Sequence, residues 1–463
     1  MNIIKTLAVT ILIFISHCTI AQNLKSHSEE QYIQTAENLA RHALQDETGY
    51  KWLAELCDIG PRLSGSDQSL EAIYWAEAKL KSIGVDSVWL QPVMVPHWVR
   101  GTKETAVITG SKFFTNRKLE VASLGRSIGT PAGGITAEVL EVKSLDEAKA
   151  LGPKAEGKII FFNRPFDNGL VNTFNGYGRA VDQRFMGAVV AGQIGGVGVI
   201  VRSVGSKHDN VPHVGVMAQF DSVKAVPAVA IGTIDADFLS EALVKDPELK
   251  ITLEMDCKNL PEAQSYNVIA EIKGTEFPNE VVVVGGHFDS WDKGCGAHDD
   301  GAPCIQTMEV LDLFNRLNIK PKRTVRCVLF INEENGTRGG IEYGKFAKTS
   351  NEIHVAAIES DEGAFTPRGF HAQTDSLSLS KMQSWEPLLR PVLIDYIRPG
   401  GGGVDISRIE NSKALIGFEP DCQRYMDLHH SANDTFESVH PREMEMGSAA
   451  IAMLAYLISD EGL

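Results

Sequence analysis

The run VVVVGGHFDSWDKGCGAHDDGA, residues 281–302, joins a strand-like segment to a stretch crowded with metal-binding side chains. Four consecutive valines predict a buried strand, because β-branched residues favour extended backbone on a packed surface. The eighteen residues from 285 to 302 hold two His and four Asp. An ordinary surface loop has no need of so many donor side chains. The stretch therefore indicates a functional site at the end of a buried strand.

Strand-like and helical segments alternate through the rest of the C-terminal part of the chain. Helical spacing of apolar residues covers 305–317 and 341–348, and strand-like runs cover 324–331, 355–360 and 414–418. Continuous apolar strands that alternate with helices predict an α/β fold. We expect a three-layer α/β/α domain with a mixed, mainly parallel sheet covered on both faces.

Carboxylates and imidazoles follow three of these predicted strands. His287 and Asp289 come after the first strand, Glu333 and Glu334 after the second, and Asp361 after the third. Sites in parallel sheets form at the carboxyl ends of the strands, so we expect these groups to converge on one edge. Mixed His and carboxylate ligation suits zinc better than calcium or magnesium. The pattern therefore predicts a zinc site.

Two metal ions fit the supply of donor groups. Two divalent cations about 3.5–4 Å apart can hold a bridging hydroxide as a nucleophile near neutral pH. The sequence provides three carboxylates and two imidazoles, one of them in YMDLHHSANDT (425–435). Three negative charges and a hydroxide balance two divalent ions. The ligand set is His287, Asp299, Glu334, Asp361 and a histidine near the C-terminus.

The segment between residues 99 and 259 differs in character from the rest. It is rich in Gly, Val and short strand-like runs (158–162, 196–201 and 226–231), and it lacks carboxylate clusters. We interpret it as an inserted β-rich domain that divides the zinc-site domain into residues 22–98 and 260–463. In the first of these parts, apolar spacing predicts a helix over 68–83, closed by Gly84, and then a strand over 85–95.

The N-terminus predicts a secretory signal, residues 1–21. Lys5 supplies a positive charge, an apolar run covers 7–15, and a small-residue cleavage site ends at Ala21. No apolar run is long enough to cross a bilayer, so we expect a periplasmic or secreted protein without a transmembrane segment. Cys18 offers a lipoprotein alternative, but His17 before it is a poor fit to such processing. The other cysteines could form one or two disulfides, but their spacing does not indicate which of them pair.

Charge and a second motif bear on other classes of protein. The formal net charge of −16 repels phosphate backbones, so we expect no nucleic-acid partner. Residues 125–129, GRSIG, match the GxSxG pattern of serine hydrolases. A nucleophile elbow leads from a strand into a helix, however, and the following TPAGG will not start a helix. A binding protein without metal is a further alternative, which zinc content after dialysis would distinguish.

Four ordered motifs resemble those of the co-catalytic zinc exopeptidases, the family that includes bacterial leucyl aminopeptidases: HFDS…GAHDDGA, FINEENGTRGG, AIESDEGAF and HHSANDT. HFDSWDKGCGAHDDG and GGGGVDIS (400–407) are similar to the carboxypeptidase Q branch in particular. The insertion resembles a protease-associated domain. The resemblance implies hydrolysis of small peptides with two zinc ions per chain, by a dipeptidase or carboxypeptidase, with an aminopeptidase as the alternative. It also implies a possible homodimer.

The resemblance implies a role for each matching residue. Asp299 would bridge the two ions and would be joined to Asp300 by a cis peptide bond. One ion would have His287 and Asp361 as further ligands, and the other Glu334 and His430. Glu333 would be the general base, and Asp289 would orient the His287 imidazole. His429 competes with His430 for the last position, but the HS…DT continuation favours His430.

The glycine-rich loop at 400–403 has two interpretations, a flexible turn and a wall of the substrate site. As a wall, Gly401 and Gly402 would let backbone N–H groups approach a peptide carboxylate. Asp405 would pair with an amine.

Overall fold

The computed structural model describes residues 27–114 and 116–463. The predicted signal segment, 1–21, lies outside the described residues. Within them, no helix is long and apolar enough to cross a membrane. The strands, in chain order, are β1 (Ser87–Val99), β2 (Glu104–Gly110), β3 (Arg117–Leu119), β4 (Val121–Ser123), β5 (Ile135–Val142), β6 (Ile159–Phe162), β7 (Gly198–Arg202), β8 (Ala228–Ile231), β9 (Lys250–Met255), β10 (Lys258–Ile272), β11 (Phe277–His287), β12 (Arg323–Phe330), β13 (Ile353–Glu359), β14 (Pro367–Gln373), β15 (Tyr396–Pro399) and β16 (Leu415–Pro420).

The helices alternate with these strands through most of the described chain. Short 3-10 turns connect some of them. The helices are α1 (Glu29–Asp46), α2 (Thr48–Ile59), α3 (Asp67–Ile83), α4 (Leu145–Leu151), α5 (Thr173–Gly178), α6 (Val181–Gln193), α7 (Thr233–Lys245), α8 (Ala302–Arg316), α9 (Glu333–Gly336), α10 (Arg338–Thr349), α11 (Ser376–Ser384), α12 (Glu386–Leu389) and α13 (Pro441–Glu461).

The first sheet has the order β1-β10-β12-β11-β13-β16-β14-β15. Its centre, β12-β11-β13-β16, is parallel, whereas β1, β10 and β12 pair antiparallel. Helices α1, α2, α3, α8 and α13 pack in one apolar core on one face, and α10 covers part of the other face. The predicted α/β fold with a mixed sheet between helices is confirmed. Because β12, β11 and β13 are parallel neighbours, their carboxyl ends lie at the same edge of the sheet.

The second sheet contains every strand between Glu104 and Met255, in the order β3-β2-β9-β5-β6-β7-β8-β4. Its parallel part, β5 to β8, has α4 and α6 on one face and α7 on the other. The chain leaves the first sheet at Val99 and returns at Lys258, and these two residues are paired between β1 and β10. The second sheet is therefore inserted between two neighbouring strands of the first.

Local sequence signals explain several boundaries of helices and strands. The predicted helix over 68–83 is α3, where the Ser66 side chain accepts a hydrogen bond from the Ser69 N–H and Gly84 ends the helix with φ 79°. The predicted strand over 85–95 is β1, which runs on to Val99 because it stays paired with β10. The helix predicted from 305 begins at Ala302, since Pro303 is tolerated in a first turn.

A buried histidine at the start of β13 makes stability depend on pH. His354 has no exposed surface, and the Tyr343 hydroxyl lies 3.2 Å from its Nε2. Burial, with the charge of Arg326, lowers the pKa of His354 to about 4. The unfolded chain, with an ordinary histidine pKa of about 6.5, therefore binds more protons than the folded chain between these values. The contribution of His354 to the free energy of unfolding is therefore full above about pH 6.5 and is lost as the pH falls to about 4.

We expect His354→Gln to reduce the pH dependence of the free energy of unfolding. Between pH 6.5 and 4 the free energy of unfolding should fall by up to about 3 kcal/mol less in the variant than in the wild type. Denaturant titrations at several pH values measure this difference between the wild type and the variant. Both proteins have the same metal site, so its own pH dependence cancels in the comparison. His208→Gln, at an exposed position, is the matched control. Equal slopes for wild type and His354→Gln would contradict this account.

Candidate metal centre

Three parallel strands deliver donor side chains to one edge of the first sheet. His287 is the last residue of β11, Glu333 and Glu334 open α9 just after β12, and Asp361 lies two residues beyond β13. Since β12, β11 and β13 are neighbours and run parallel, their carboxyl ends lie side by side. The predicted convergence is observed.

Asp299 reaches this edge from an irregular turn, Ala297–Gly301, and the bond between Asp299 and Asp300 is cis. Backbone N–H groups of His298 and Asp299 donate to the Asp434 carboxylate at 2.7 and 3.1 Å. The Asp300 carboxylate accepts the His287 N–H at 2.9 Å. The turn is therefore anchored from both sides, which holds the Asp299 side chain in place.

The two carboxylate oxygens of Asp299 face different histidines. Its Oδ1 lies 3.2 Å from His287 Nε2, which is also 3.2 Å from Asp361 Oδ1. Its Oδ2 lies 3.3 Å from His430 Nε2, which is 2.9 Å from Glu334 Oε2. The five predicted ligands thus form two groups that share Asp299.

Two properties of these groups indicate that they bind metal ions: carboxylate oxygens without hydrogen-bond partners, and the distances between the ligand atoms. Asp299 Oδ2 and Glu334 Oε1 are buried and have no hydrogen-bond partner. Buried carboxylates are normally paired or bound to a metal. Two ligands of a tetrahedral zinc, each about 2.0–2.1 Å from the ion, lie about 3.3 Å apart. The observed separations of 2.9–3.3 Å between ligand atoms fit a common ion.

The pKa directions reflect crowded negative charge. Burial opposes a charge on His287, yet the carboxylates of Asp361 and Asp300 hold its pKa well above the ordinary value. Burial lowers the pKa of His430 to about 3, and Arg184 acts in the same direction, although Asp299 opposes it. Burial first, and then neighbouring carboxylates, raise the pKa of Glu334. His430 is therefore a neutral imidazole, which is the form that binds metals. The carboxylates around it concentrate negative charge, which a bound cation would compensate.

His429 and His430 are both near Asp299. His429 Nε2 lies 3.9 Å from Asp299 Oδ2, and its ring stacks on His430 with 3.5 Å between centroids. His429 could thus join Asp299 and His430 in one group of metal donors. His430 is the nearer residue and alone contacts Glu334. Its Nδ1 lies 3.3 Å from the Val214 carbonyl, a position that turns Nε2 toward the carboxylates.

Asp289 differs from its predicted geometry. His287 Nδ1 lies 3.0 Å from the Asp289 backbone carbonyl, whereas the Asp289 carboxylate is 4.0 Å away. The carboxylate instead accepts the Glu333 N–H at 2.9 Å and the Ser64 hydroxyl at 3.0 Å. The expectation that the carboxylate orients the imidazole is corrected: the backbone carbonyl does so, and the carboxylate positions Glu333.

The second sheet's unit supplies part of the site, which the sequence did not indicate. A cavity of about 290 Å³ at the metal centre is lined by the ligands and also by Phe174, Tyr177, Arg184 and Val216. Val214 N–H donates to the His430 carbonyl at 2.8 Å. No motif marks these residues, because they come from separate segments that meet only in the folded chain.

A second cavity, of about 140 Å³, adjoins the first at Phe174 and Asp361. Gly401 and Gly402 lie in its wall, as the substrate-wall interpretation expects. The expectation for Asp405 is wrong. Asp405 is fully buried and does not line either cavity, and its carboxylate accepts the Gly340 N–H at 3.2 Å.

Glu359, which the sequence analysis missed, holds the glycine-rich loop at the sheet edge. Its carboxylate accepts backbone N–H groups of Val404, Asp405 and Ile406 at 2.9, 3.3 and 2.8 Å. Burial and the Asp361 charge raise the pKa of Glu359 to about 7. Its place at the end of β13, two residues before Asp361, was the one available signal.

Two other places lack the features of a catalytic site. Ser127 of the GxSxG match is buried, its Oγ accepts the Ala228 N–H at 2.9 Å, and no helix follows it. The serine hydrolase interpretation therefore fails on geometry. A larger cavity of about 510 Å³ lies between α10 and residues 407–411, and none of the predicted ligands lines it.

The fold and the paired His/carboxylate groups define a metal-dependent hydrolase of the zinc exopeptidase class. Residues 267–455 match peptidase family M28. Carboxypeptidase Q of Bos taurus is 37% identical over 425 residues, which are 91% of this chain and 88% of that protein. The Homo sapiens protein of the same name is 36% identical over the same shares. This chain belongs to peptidase family M28 and is a zinc metallopeptidase.

Solved structures agree with this membership. The Peptidase M28 precursor from Shewanella amazonensis SB2B has a TM-score of 0.88 and 35% identity, covering 93% of this chain and 97% of its own. A zinc aminopeptidase from Bacillus subtilis, at 18% identity, has a TM-score of 0.64 with 90% and 94% covered. The second similarity shows a shared fold alone.

Proposed function

We propose that this chain is an exported dinuclear zinc exopeptidase that hydrolyses small peptides as a dipeptidase or carboxypeptidase. The observation that carries the two-metal part is that Asp299 Oδ1 and Oδ2 face different histidines. In this proposal His287 and Asp361 would hold one ion, Glu334 and His430 the other, and Asp299 both. When bound, the zinc ions would polarise the scissile carbonyl and make a water acidic enough to attack near neutral pH.

Glu333 is the general base in this proposal. It lines the metal-site cavity. Glu334, by contrast, places its Oε2 2.9 Å from His430 Nε2 and so belongs to one of the two groups around Asp299. Burial, followed by the charges of Asp361 and Glu334, outweighs His287 and raises its pKa. A base with a raised pKa can accept a proton from the attacking water and return it to the leaving amine. Asp289, by accepting the Glu333 N–H, holds the start of α9 in position for this transfer.

Glu333→Gln should keep its zinc and lose turnover. Loss of a general base typically lowers kcat by about 10²–10⁴-fold, whereas the neutral amide fills the same space. Metal analysis and steady-state kinetics on the same preparation measure both. Glu334→Gln is the matched control and should lose zinc, because Glu334 Oε2 contacts His430. A fully active Glu333→Gln, or one that loses zinc as the control does, would reverse the two roles.

The smaller cavity supports recognition of a free amine. Asp361 and Glu362 line it together with the glycine-rich loop, and burial, with Glu419 and Asp361, raises the pKa of Glu362 to about 8. A bound ammonium group would favour the ionised carboxylate and be balanced by it. Among the described residues that line this cavity, His371 is the one with a basic side chain.

The metal-site cavity of about 290 Å³ supports recognition of a carboxylate. Arg184 carries the one permanent positive charge among the described residues that line it. Its guanidinium donates to the Tyr177 hydroxyl at 2.6 Å, which leaves the Tyr177 proton free to point to a substrate. Phe174 lines both cavities, and in this proposal it would limit the length of a bound peptide. Short peptides with both termini free fit this arrangement, in agreement with the relatives named carboxypeptidase Q.

A panel of dipeptides tests which ends are read. The free dipeptide should be cleaved fastest, with both the N-blocked and the C-amidated forms slower. Glu362→Gln should raise KM for the free dipeptide by about tenfold or more, the scale of one charge-assisted contact, and leave the N-blocked form unchanged. Glu410→Gln, at an exposed position, is the control.

Two results would contradict recognition of both ends of the peptide. N-blocked peptides cleaved as fast as free ones would show a plain carboxypeptidase. Amino-acid anilides cleaved as fast as dipeptides, with no effect of C-amidation, would show an aminopeptidase.

The domain assignment is also proposed. We assign residues 22–98 and 260–463 to the peptidase domain and residues 99–259 to a protease-associated-like insertion. The insertion's contacts with the His430 loop and its share of the cavity wall support a structural role in the site. Export and a homodimer stay predictions.

A further inference from the structure

Two cysteines far apart in the sequence meet beside the metal-site turn. Cys57 lies near the end of α2, and Cys295 lies in the segment between β11 and the Ala297–Gly301 turn. Their Sγ atoms are 2.8 Å apart. Nonbonded carbon atoms prefer about 3.5–4.0 Å, and sulfur is larger than carbon, so the two sulfurs are closer than an ordinary packing contact. The two sulfur atoms therefore already lie close enough for a covalent bond to form.

The backbone around Cys295 is fixed by a buried arginine. Arg62, which has no exposed surface, donates to the carbonyls of Phe288, Cys295 and Gly296 at 2.8, 2.7 and 2.9 Å. The Cys295 N–H donates to the Asp434 carbonyl at 3.0 Å. Asp434 is also the residue whose carboxylate holds Asp299 N–H. A bond at Cys295 would thus add to the supports of the turn that carries Asp299.

We propose that Cys57 and Cys295 form a disulfide bond that ties α2 to the metal-site turn. The two thiols lose two protons and two electrons as the sulfur–sulfur bond forms. The electrons pass to an external disulfide, that of a thiol–disulfide oxidoreductase or of oxidised glutathione, which is reduced to two thiols. An exported chain meets such oxidants, whereas a reducing compartment would keep both thiols.

The contact between the two thiols shifts their pKa values in opposite directions. The contact with Cys57 and the charge of Arg62 lower the pKa of Cys295, although burial opposes them. The same contact, with burial, raises the pKa of Cys57. Oxidation proceeds in two steps: one thiolate attacks the external disulfide, and the other thiol then displaces the oxidant from the mixed disulfide.

The remaining cysteines of the described chain contact other groups. Cys304 Sγ lies 3.0 Å from the His287 carbonyl, and Cys257 Sγ lies 3.4 Å from the Ser127 carbonyl. Cys327 and Cys422 lie near the Thr307 and Thr173 hydroxyls. Of the six cysteines described, the pair at 57 and 295 is thus the one placed for a bond.

Thiol counting on the whole mature protein tests the proposal without relying on activity. After incubation with oxidised glutathione and removal of the reagent, the denatured wild type should show four free thiols instead of the six counted after full reduction. Peptide mapping by mass spectrometry should find residues 57 and 295 in one cross-linked fragment. Six thiols after oxidation, or a cross-link between other cysteines, would overturn it.

Zinc release measures the consequence for the turn. Oxidised wild type should lose zinc to a chelator several-fold more slowly than reduced wild type, and its Tm should be several degrees higher. Cys57→Ser should release zinc at one rate under both conditions, while Cys422→Ser, the matched control, should respond like the wild type. Equal release from oxidised and reduced wild type would remove the link to the metal site. Failure of the peptidase proposal alone would leave the thiol count unchanged.

Discussion

Negative charge gathered around the Asp299 carboxylate is the constraint on which the rest of the site depends. Buried carboxylates cost several kcal/mol each unless they are paired or bound to a metal. Asp299 and Glu334 keep oxygens without hydrogen-bond partners, and neighbouring carboxylates face the same space. Strand ends, an anchored turn and a C-terminal loop all contribute to this concentration of charge. Such a cluster is compatible with a folded protein because bound cations compensate its negative charge.

Precise placement of the donors comes from groups outside the ligand set. Asp434 and Asp300 hold the turn that carries Asp299, and Trp291 donates to Glu334 Oε2 at 2.6 Å. His213 Nδ1 lies 2.7 Å from the His429 carbonyl, which fixes the loop that presents His430. Such outer contacts set the orientation of metal ligands and commonly alter affinity when they are lost. Of these residues, His213 comes from the unit built on the second sheet.

The sequence could predict what depends on strand order. His287, Glu334 and Asp361 follow apolar runs, and parallel strands place their ends together, so the edge of the sheet was predictable. Asp299 and His430 required the ordered motifs as well, because neither stands at the end of a strand: Asp299 lies in the Ala297–Gly301 turn, and His430 lies in a loop well past β16.

Contacts made by tertiary packing could not be predicted in this way. Asp405 follows a glycine-rich run that does line a cavity, yet its side chain turns inward toward the Gly340 N–H. Asp289 stands two residues after His287, but its backbone carbonyl is the group near the imidazole. Arg184 and Tyr177 lie more than a hundred residues before the ligands, and only the packing of the two sheets' units brings them to the cavity.

Anomalous diffraction at the zinc absorption edge tests the two-metal account most directly. Crystals of the zinc-loaded protein should give two peaks per chain, one on each side of the Asp299 carboxylate. One peak should lie beside His287 and Asp361, and the other beside Glu334 and His430. A single peak, or a second peak held by His429 in place of His430, would contradict the account.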